Sequence, residues 1–208
     1  MDPLAELITP ENAALVLIDQ QAGLAFAVQS IDRQVLLNNT AALVRTALAF
    51  DLPIVISTSA TKVYSGPLLP DLRALLPDHP VLDRRNMNVW EDDSVRAAIL
   101  ATGRKKLLFS GLLTEACVTF PVLCAQDAGF EAYVVSDACG SITPEGHAMA
   151  VHRMAASGAR MTSWLQVLLE LQRDWTRLST YGAARAIVEK NGGGYGIGLN
   201  YARDMLPK

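Results

Sequence analysis

The sequence predicts a doubly wound α/β fold, in which a parallel sheet is covered by helices on both faces. Short continuous apolar runs recur along the chain, such as AALVLI at 13–18 and LLF at 107–109, and they have the length of strands buried on both sides. Segments with helical spacing alternate with these runs through short connections. Five such βα alternations call for right-handed crossovers.

The elements follow in order. The first strand, 13–18, ends in Asp19, so a central strand delivers a carboxylate at its carboxyl end. Residues 31–50 form a helix, with apolar positions at 31, 35, 36, 43, 44, 47 and 48, Asp32 near the start and Asp51-Leu52-Pro53 as the stop. A second strand spans 53–56; residues 57–70, STSATKVYSGPLLP, are a loop by composition, and 71–76 hold only a short helix. The third strand is 81–83, after which RRNMNVW at 84–90 leads to a helix that starts at Glu91-Asp92-Asp93 and runs to about 101. Strand four spans 106–110, and a helix carrying Cys117 reaches about 128, with Gly129 as its stop. A fifth strand at 132–135, a helix at 145–156 and a short strand at 160–162 complete the alternation. The whole chain, 1–208, reads as one domain with a helical, Gly-rich tail from about 176. In that tail 165–177 and 181–190 are helical, and NGGGYGIG at 191–198 reads as a flexible connector: no strand precedes it and no Lys-Ser/Thr follows, as a phosphate loop would require.

Composition narrows the function classes. Of the 208 residues 50% are apolar, enough for a sizeable core, and a net charge of -3 with both signs scattered gives no basic stripe for nucleic acid. No stretch reaches the about 18 uninterrupted apolar residues of a membrane span, and MDPLAELITPEN lacks the basic start and apolar centre of a leader. Three cysteines without a C-x-x-C fit a reducing compartment, so the expected location is the cytoplasm.

Chemistry concentrates at KKLLFSGLLTEACVTFP, 105–121. Ser110-Gly111 breaks the strand, and Thr114 followed by Glu115 reads as a helix start, with Thr114 as N-cap and Cys117 in the first turn. Unpaired N–H groups and the helix dipole would there favour thiolate, making Cys117 the candidate nucleophile. Pro121 cannot donate to the carbonyl of Cys117, so the helix is expected to bend or loosen there. Asp19, Arg84 and Cys117 all follow strand ends and converge on one rim of the sheet, where ligands of open parallel sheets lie. A carboxylate beside the thiol can take its proton and return it to a leaving amine, a cation orients that carboxylate, and backbone N–H groups of the 113–117 turn hold the oxyanion. The residues also admit a plainer reading, with Cys117 as inert packing, Asp19 as a loop cap and Arg84 as its partner.

At these residues the chain resembles the isochorismatase-like cysteine hydrolases, most closely the YcaC-type branch. The resemblance runs through LVLIDQQ (15–21), VLDRRNMNVWED (81–92), SGLLTEACVTFPVL (110–123), YVVSDACGS (133–141) and LELQRDW (169–175). It implies a Rossmann-like, three-layer α/β/α sandwich whose six parallel strands run in the order 3-2-1-4-5-6. It further implies a catalytic Asp19 and Cys117, a cis Leu112–Leu113 peptide, and Leu113 and Cys117 N–H groups forming the oxyanion hole. Where many members carry Lys, six residues before the aromatic, this chain has Arg84, which stays protonated and cannot shuttle hydrogen; Arg85 sits one residue short of that spacing. Nicotinamidase relatives bind metal through an Asp and two His near the second strand, and 57–64 holds no His, so no metal and no cofactor are expected. His147 reads as structural and Cys124 as core, while Cys139 reads either as plain packing or as a border of the pocket. Phe26, Tyr64, Trp90 and Phe120 are expected to wall a small-molecule pocket or to pack between subunits of a homo-oligomer.

The sequence therefore points to a metal-independent amidase-like hydrolase acting through an acyl-thioenzyme. Two alternatives stand beside it: vinyl-ether hydrolysis by Asp19 alone, and a thiol-bearing binding or redox-sensing oligomer.

Overall fold

A computed structural model describes residues 7–206; the opening MDPLAE of the leader reading lies outside them. Six parallel strands form one sheet: β1 (Ala13–Ile18), β2 (Ile54–Ser59), β3 (Val81–Arg84), β4 (Lys106–Gly111), β5 (Glu131–Val135) and β6 (Arg160–Thr162). Their order is β3-β2-β1-β4-β5-β6, with the chain reversing direction across the sheet between β1 and β4. Register pairs Ile18 with Gly111 and with Ser57, so β1 and β4 end level at the switch point while β2 runs on to Ser59.

Period-two alternation explains why β1 reads as unbroken apolar sequence: its two faces belong to two different cores. Ala13, Leu15 and Leu17 pack with α2 (Arg33–Ala49), α3 (Pro70–Leu75), α7 (Trp164–Gln172) and α8 (Leu178–Asn191). Ala14, Val16 and Ile18 pack with α4 (Asp93–Ala101), α5 (Thr119–Asp127) and α6 (Pro144–Ala156). Each fully buried Leu or Ile contributes about 1.5–3 kcal/mol, which makes the central strands the rigid base of the rim above them. Helix starts are set by short acids: Asp32 accepts from the N–H groups of Gln34 and Val35, and Asp92 from those of Ser94 and Val95. A short helix, α1 (Ala22–Ala27), follows β1. Among the described residues no helix is long and apolar enough to cross a membrane.

Two boundaries differ instructively from the sequence reading. Strand β2 runs on to Ser59 through residues assigned by composition to a loop, because β1 and β3 on either side supply ladder partners for Ser57, Thr58 and Ser59. The supposed flexible connector at 191–198 is mostly helix, α9 (Gly193–Asp204), folded back on α8. Glycine is what permits this packing: a Cβ at Gly196 would stand 2.4 Å from the Val188 carbonyl oxygen. Composition read the glycines as freedom, whereas one of them is needed for close approach. The tail is further fastened where Asn38 donates to the Asn191 carbonyl oxygen at 2.9 Å and Asn191 donates to Asn38 Oδ1 at 2.8 Å.

Substitutions on α9 should separate the two roles of glycine. Gly196→Ala is expected to cost about 1–3 kcal/mol through overpacking, read as faster amide hydrogen exchange in α9. Gly194→Ala, where a Cβ meets nothing within 4 Å, should slow exchange by adding about 1 kcal/mol of helix propensity.

Candidate active site

The rim above β1, β3 and β4 brings Asp19, Arg84 and Cys117 together. Asp19 leaves β1 in a left-handed backbone conformation with φ 54°, which aspartate tolerates better than most residues, and its N–H is held by the Ser57 carbonyl oxygen at 2.9 Å. Arg84, the last residue of β3, reaches across the end of β2. Its two terminal nitrogens donate to the two Asp19 oxygens at 2.6 and 2.7 Å, to Ser57 Oγ at 3.2 Å and to the Met87 carbonyl oxygen at 2.9 Å. Both side chains are fully buried. Desolvating two charges costs several kcal/mol per ion, and the forked contact, with both terminal nitrogens and both carboxylate oxygens bonded, offsets it although Arg84 Nε has no partner.

Cys117 stands against this pair. The Asp19 carboxylate and the Arg84 guanidinium both lie close enough for their charges to act on its thiol. The Leu112–Leu113 peptide is cis. Burial, then the adjacent Asp19 carboxylate, push the Cys117 thiol up to about 12, against the opposing pull of Arg84 and the Leu113 N–H. The resting group is therefore a neutral thiol, which corrects the thiolate inferred from a helix start.

The local backbone supplies the reason. Thr114–Val118 forms one π-helical turn before α5 begins at Thr119, and no side chain caps it. The Thr114 hydroxyl, read from sequence as the N-cap, instead donates to the Gly140 carbonyl oxygen at 3.0 Å and lies 2.9 Å from His147 Nδ1. Thr119 binds the Thr114 carbonyl oxygen twice, through its N–H and, at 2.7 Å, through Oγ1, which closes the wider turn. The loosening that Pro121 implied is thus found around the cysteine, while Pro121 itself sits within the first turn of α5, where its missing N–H does no harm. Burial lowers the His147 pKa, so the imidazole is neutral beside Thr114.

Cys117 opens into a cleft of about 670 Å³ bounded by Ser59 to Val63 on one side and Asp83 to Met87 on the other. The four aromatics expected to wall the pocket do not line it. Trp90 is half-buried and packs edge to face on Phe130 at 5.7 Å, because the 3₁₀ turn Val89–Glu91, started by Asn88, directs it into the core. Phe26, Tyr64 and Phe120 are exposed on the rim. Cys139 is fully buried and its thiol pushed up to about 12 by burial, and Cys124 is half-buried and accepts from Asn88 at 3.4 Å. Among the described residues no group of three or more His, Cys, Asp or Glu is arranged to hold a metal ion.

Ser57 and Gln21 escaped the sequence reading. Ser57 was assigned to a loop, and its parallel pairing with Ile18 at the edge of the site becomes visible only once β2 is extended. Gln21 donates to the carbonyl oxygens of Ser59, at 2.9 Å, and of Gly66, and accepts from the Ser59 N–H at 3.0 Å, so it ties down both ends of the cleft-wall loop. Gly23 lets that loop approach: a Cβ there would lie 2.2 Å from the Tyr64 carbonyl oxygen.

Breaking the buried pair from one side should be costly. Arg84→Met is expected to lose about 3–5 kcal/mol of stability in urea unfolding, and the double variant with Asp19→Asn to lose clearly less than Arg84→Met alone.

Known proteins share both sequence and architecture. The family model for the isochorismatase domain matches residues 13–166. A probable hydrolase, YcaC of Escherichia coli K12, is 40% identical over 165 residues, 79% of each chain. The crystal structure of the Escherichia coli ycaC product, described as an octameric hydrolase of unknown specificity, superposes with a TM-score of 0.92 at 35% identity, covering 97% of this chain and 98% of that one. YcaC from Pseudomonas aeruginosa, solved with hexane-2,5-diol and covalent acrylamide, gives a TM-score of 0.90 at 34% identity over 94% and 96% of the two chains. The six-stranded sheet wound in the order 3-2-1-4-5-6, the extent of the domain match and these identities make the chain a member of the isochorismatase family of hydrolases.

Proposed function

We propose that the protein hydrolyses a C–N bond in a small amide or related acyl compound through an acyl-thioenzyme formed on Cys117. The observation that carries this reading is a thiol at the wall of an open cleft, beside an Asp19 carboxylate that a forked arginine holds in place. A nucleophile that rests as a neutral thiol needs a base in contact with it, and Asp19 is in that position.

In the first half-reaction Asp19 takes the thiol proton as sulfur bonds to the carbonyl carbon, and the carbonyl π electrons move to oxygen. The N–H groups of Leu113 and Cys117 receive that oxyanion, each such donor contributing about 3 kcal/mol in enzymes where one was removed. Collapse breaks the C–N bond, and the proton held by Asp19 passes to the departing nitrogen. In the second half-reaction Asp19 accepts a proton from water as its oxygen attacks the thioester; the carboxylic acid leaves and the proton returns to sulfur. Arg84 stays protonated throughout and fixes the direction of the carboxylate.

The redox-sensing alternative rested on a readily ionised thiol and loses that basis with a thiol pushed up to about 12. Vinyl-ether hydrolysis would leave the Cys117 thiol beside Asp19 without a task. We further propose a homo-oligomer in the cytoplasm: Leu178, Ile197 and Tyr201 expose apolar surface on α8 and α9, and the Escherichia coli relative is described as octameric.

Against a panel of small amides, Cys117→Ala and Asp19→Asn should each lower kcat/KM by about 10³-fold or more. Rapid-quench mass spectrometry of the wild type should show an acyl adduct on the Cys117 peptide. Activity that survives Cys117→Ala and is lost in Asp19→Asn would instead establish the acid-only route.

A further inference from the structure

Charge in the cleft is unevenly spent. Arg84 is neutralised by Asp19, with which it shares two short hydrogen bonds. Two other cations, Lys62 and Arg85, line the same cleft as Cys117, and neither has a carboxylate partner among the described residues. The one opposing carboxylate in the lining, Asp83, already accepts from the hydroxyls of Thr58 at 3.1 Å and Thr61 at 2.8 Å. Two cations therefore face a single, well-solvated acid.

The loop that carries Lys62 is held in place on both sides. Gln21 binds it at Ser59 and Gly66, Gly23 donates to the Ser65 carbonyl oxygen at 3.0 Å, and Val63 donates to the Ala60 carbonyl oxygen at 3.0 Å. Arg85 projects from the end of β3, one residue beyond the arginine that orients the acid. The Lys62 loop is thus anchored and Arg85 follows directly on β3, and a cleft with an excess of one sign of charge concentrates ligands of the other.

We propose that this half of the cleft binds a carboxylate on the substrate, so the preferred substrate is an amide or acyl compound with an anionic group away from the scissile bond. The inference rests on the hydrolase reading for the identity of the cleft, and its test is chosen to work without turnover. Alkylation of Cys117 by iodoacetate, which carries a carboxylate, is compared with alkylation by neutral iodoacetamide, each followed on the Cys117 peptide by mass spectrometry. The ratio of the two rates cancels the fraction of thiolate.

Relative to glutathione, that ratio should be raised about tenfold in low salt. It should return to the glutathione value in Lys62→Ala/Arg85→Ala and in about 0.5 M salt, where screening acts within a few ångströms. Lys190→Ala, on α8 and lining a different cleft, serves as the control and should leave the ratio raised. A wild-type ratio equal to that of glutathione, or a raised ratio indifferent to the double variant, would overturn the subsite. A raised ratio that falls in the double variant, in a protein that turns over no amide, would leave the subsite standing and remove the hydrolase reading. Hydrolysis of succinamate and butyramide at equal kcat/KM, together with the glutathione ratio, would do the reverse.

Discussion

The rest of the site depends on one buried ion pair. Asp19 and Arg84 are removed from water completely, and they persist there because every terminal guanidinium nitrogen has an acceptor and both carboxylate oxygens have a donor. The pair fixes more than itself. It ties the end of β1 to the end of β3 across β2, recruits Ser57 from the strand between them, and sets the direction in which the carboxylate meets the sulfur. A lysine, a compact point charge on a flexible stem, cannot form that two-pronged contact. The arginine therefore narrows the chemistry as it strengthens the geometry, because it leaves proton transfer to the aspartate.

A protonated cysteine follows from the same arrangement. Burial raises the thiol first, and the adjacent carboxylate raises it further, so the charge that would serve as base also keeps the nucleophile quiet until a substrate arrives. Such a site suits a reaction in which the proton moves as the bond forms, and not one that keeps a standing thiolate. The π-helical turn at Thr114–Val118 contributes by presenting the sulfur to Asp19 and the Leu113 N–H together, and the Thr114–His147 contact braces that turn from behind.

Much of this was legible in the residues. Unbroken apolar runs located β1 and β4, because strands buried on both faces carry no alternation, and residues at the ends of such strands were bound to share a rim. That reasoning brought Asp19, Arg84 and Cys117 together from distant parts of the chain, as the structure does. What failed depended on long-range surroundings. The hydroxyl of Thr114 looks like a cap until Gly140 and His147 are known to lie beside it. Trp90 looks like a pocket wall until Phe130 is seen to receive its ring. Gly196 looks like slack until the Val188 carbonyl is found against it. The protonation state of Cys117 belongs to the same class, since a helix-start argument counts local dipoles and omits the burial that outweighs them.

The protonation state of the resting enzyme is the point on which the mechanism turns, and thiolate absorbance near 240 nm measures it directly. Subtracting the titration of Cys117→Ala from that of the wild type isolates the one sulfur at issue. The account predicts no thiolate from Cys117 up to pH 10, in keeping with a thiol pushed up to about 12. A Cys117 titration step at or below the ordinary thiol value of about 8.5 would contradict it.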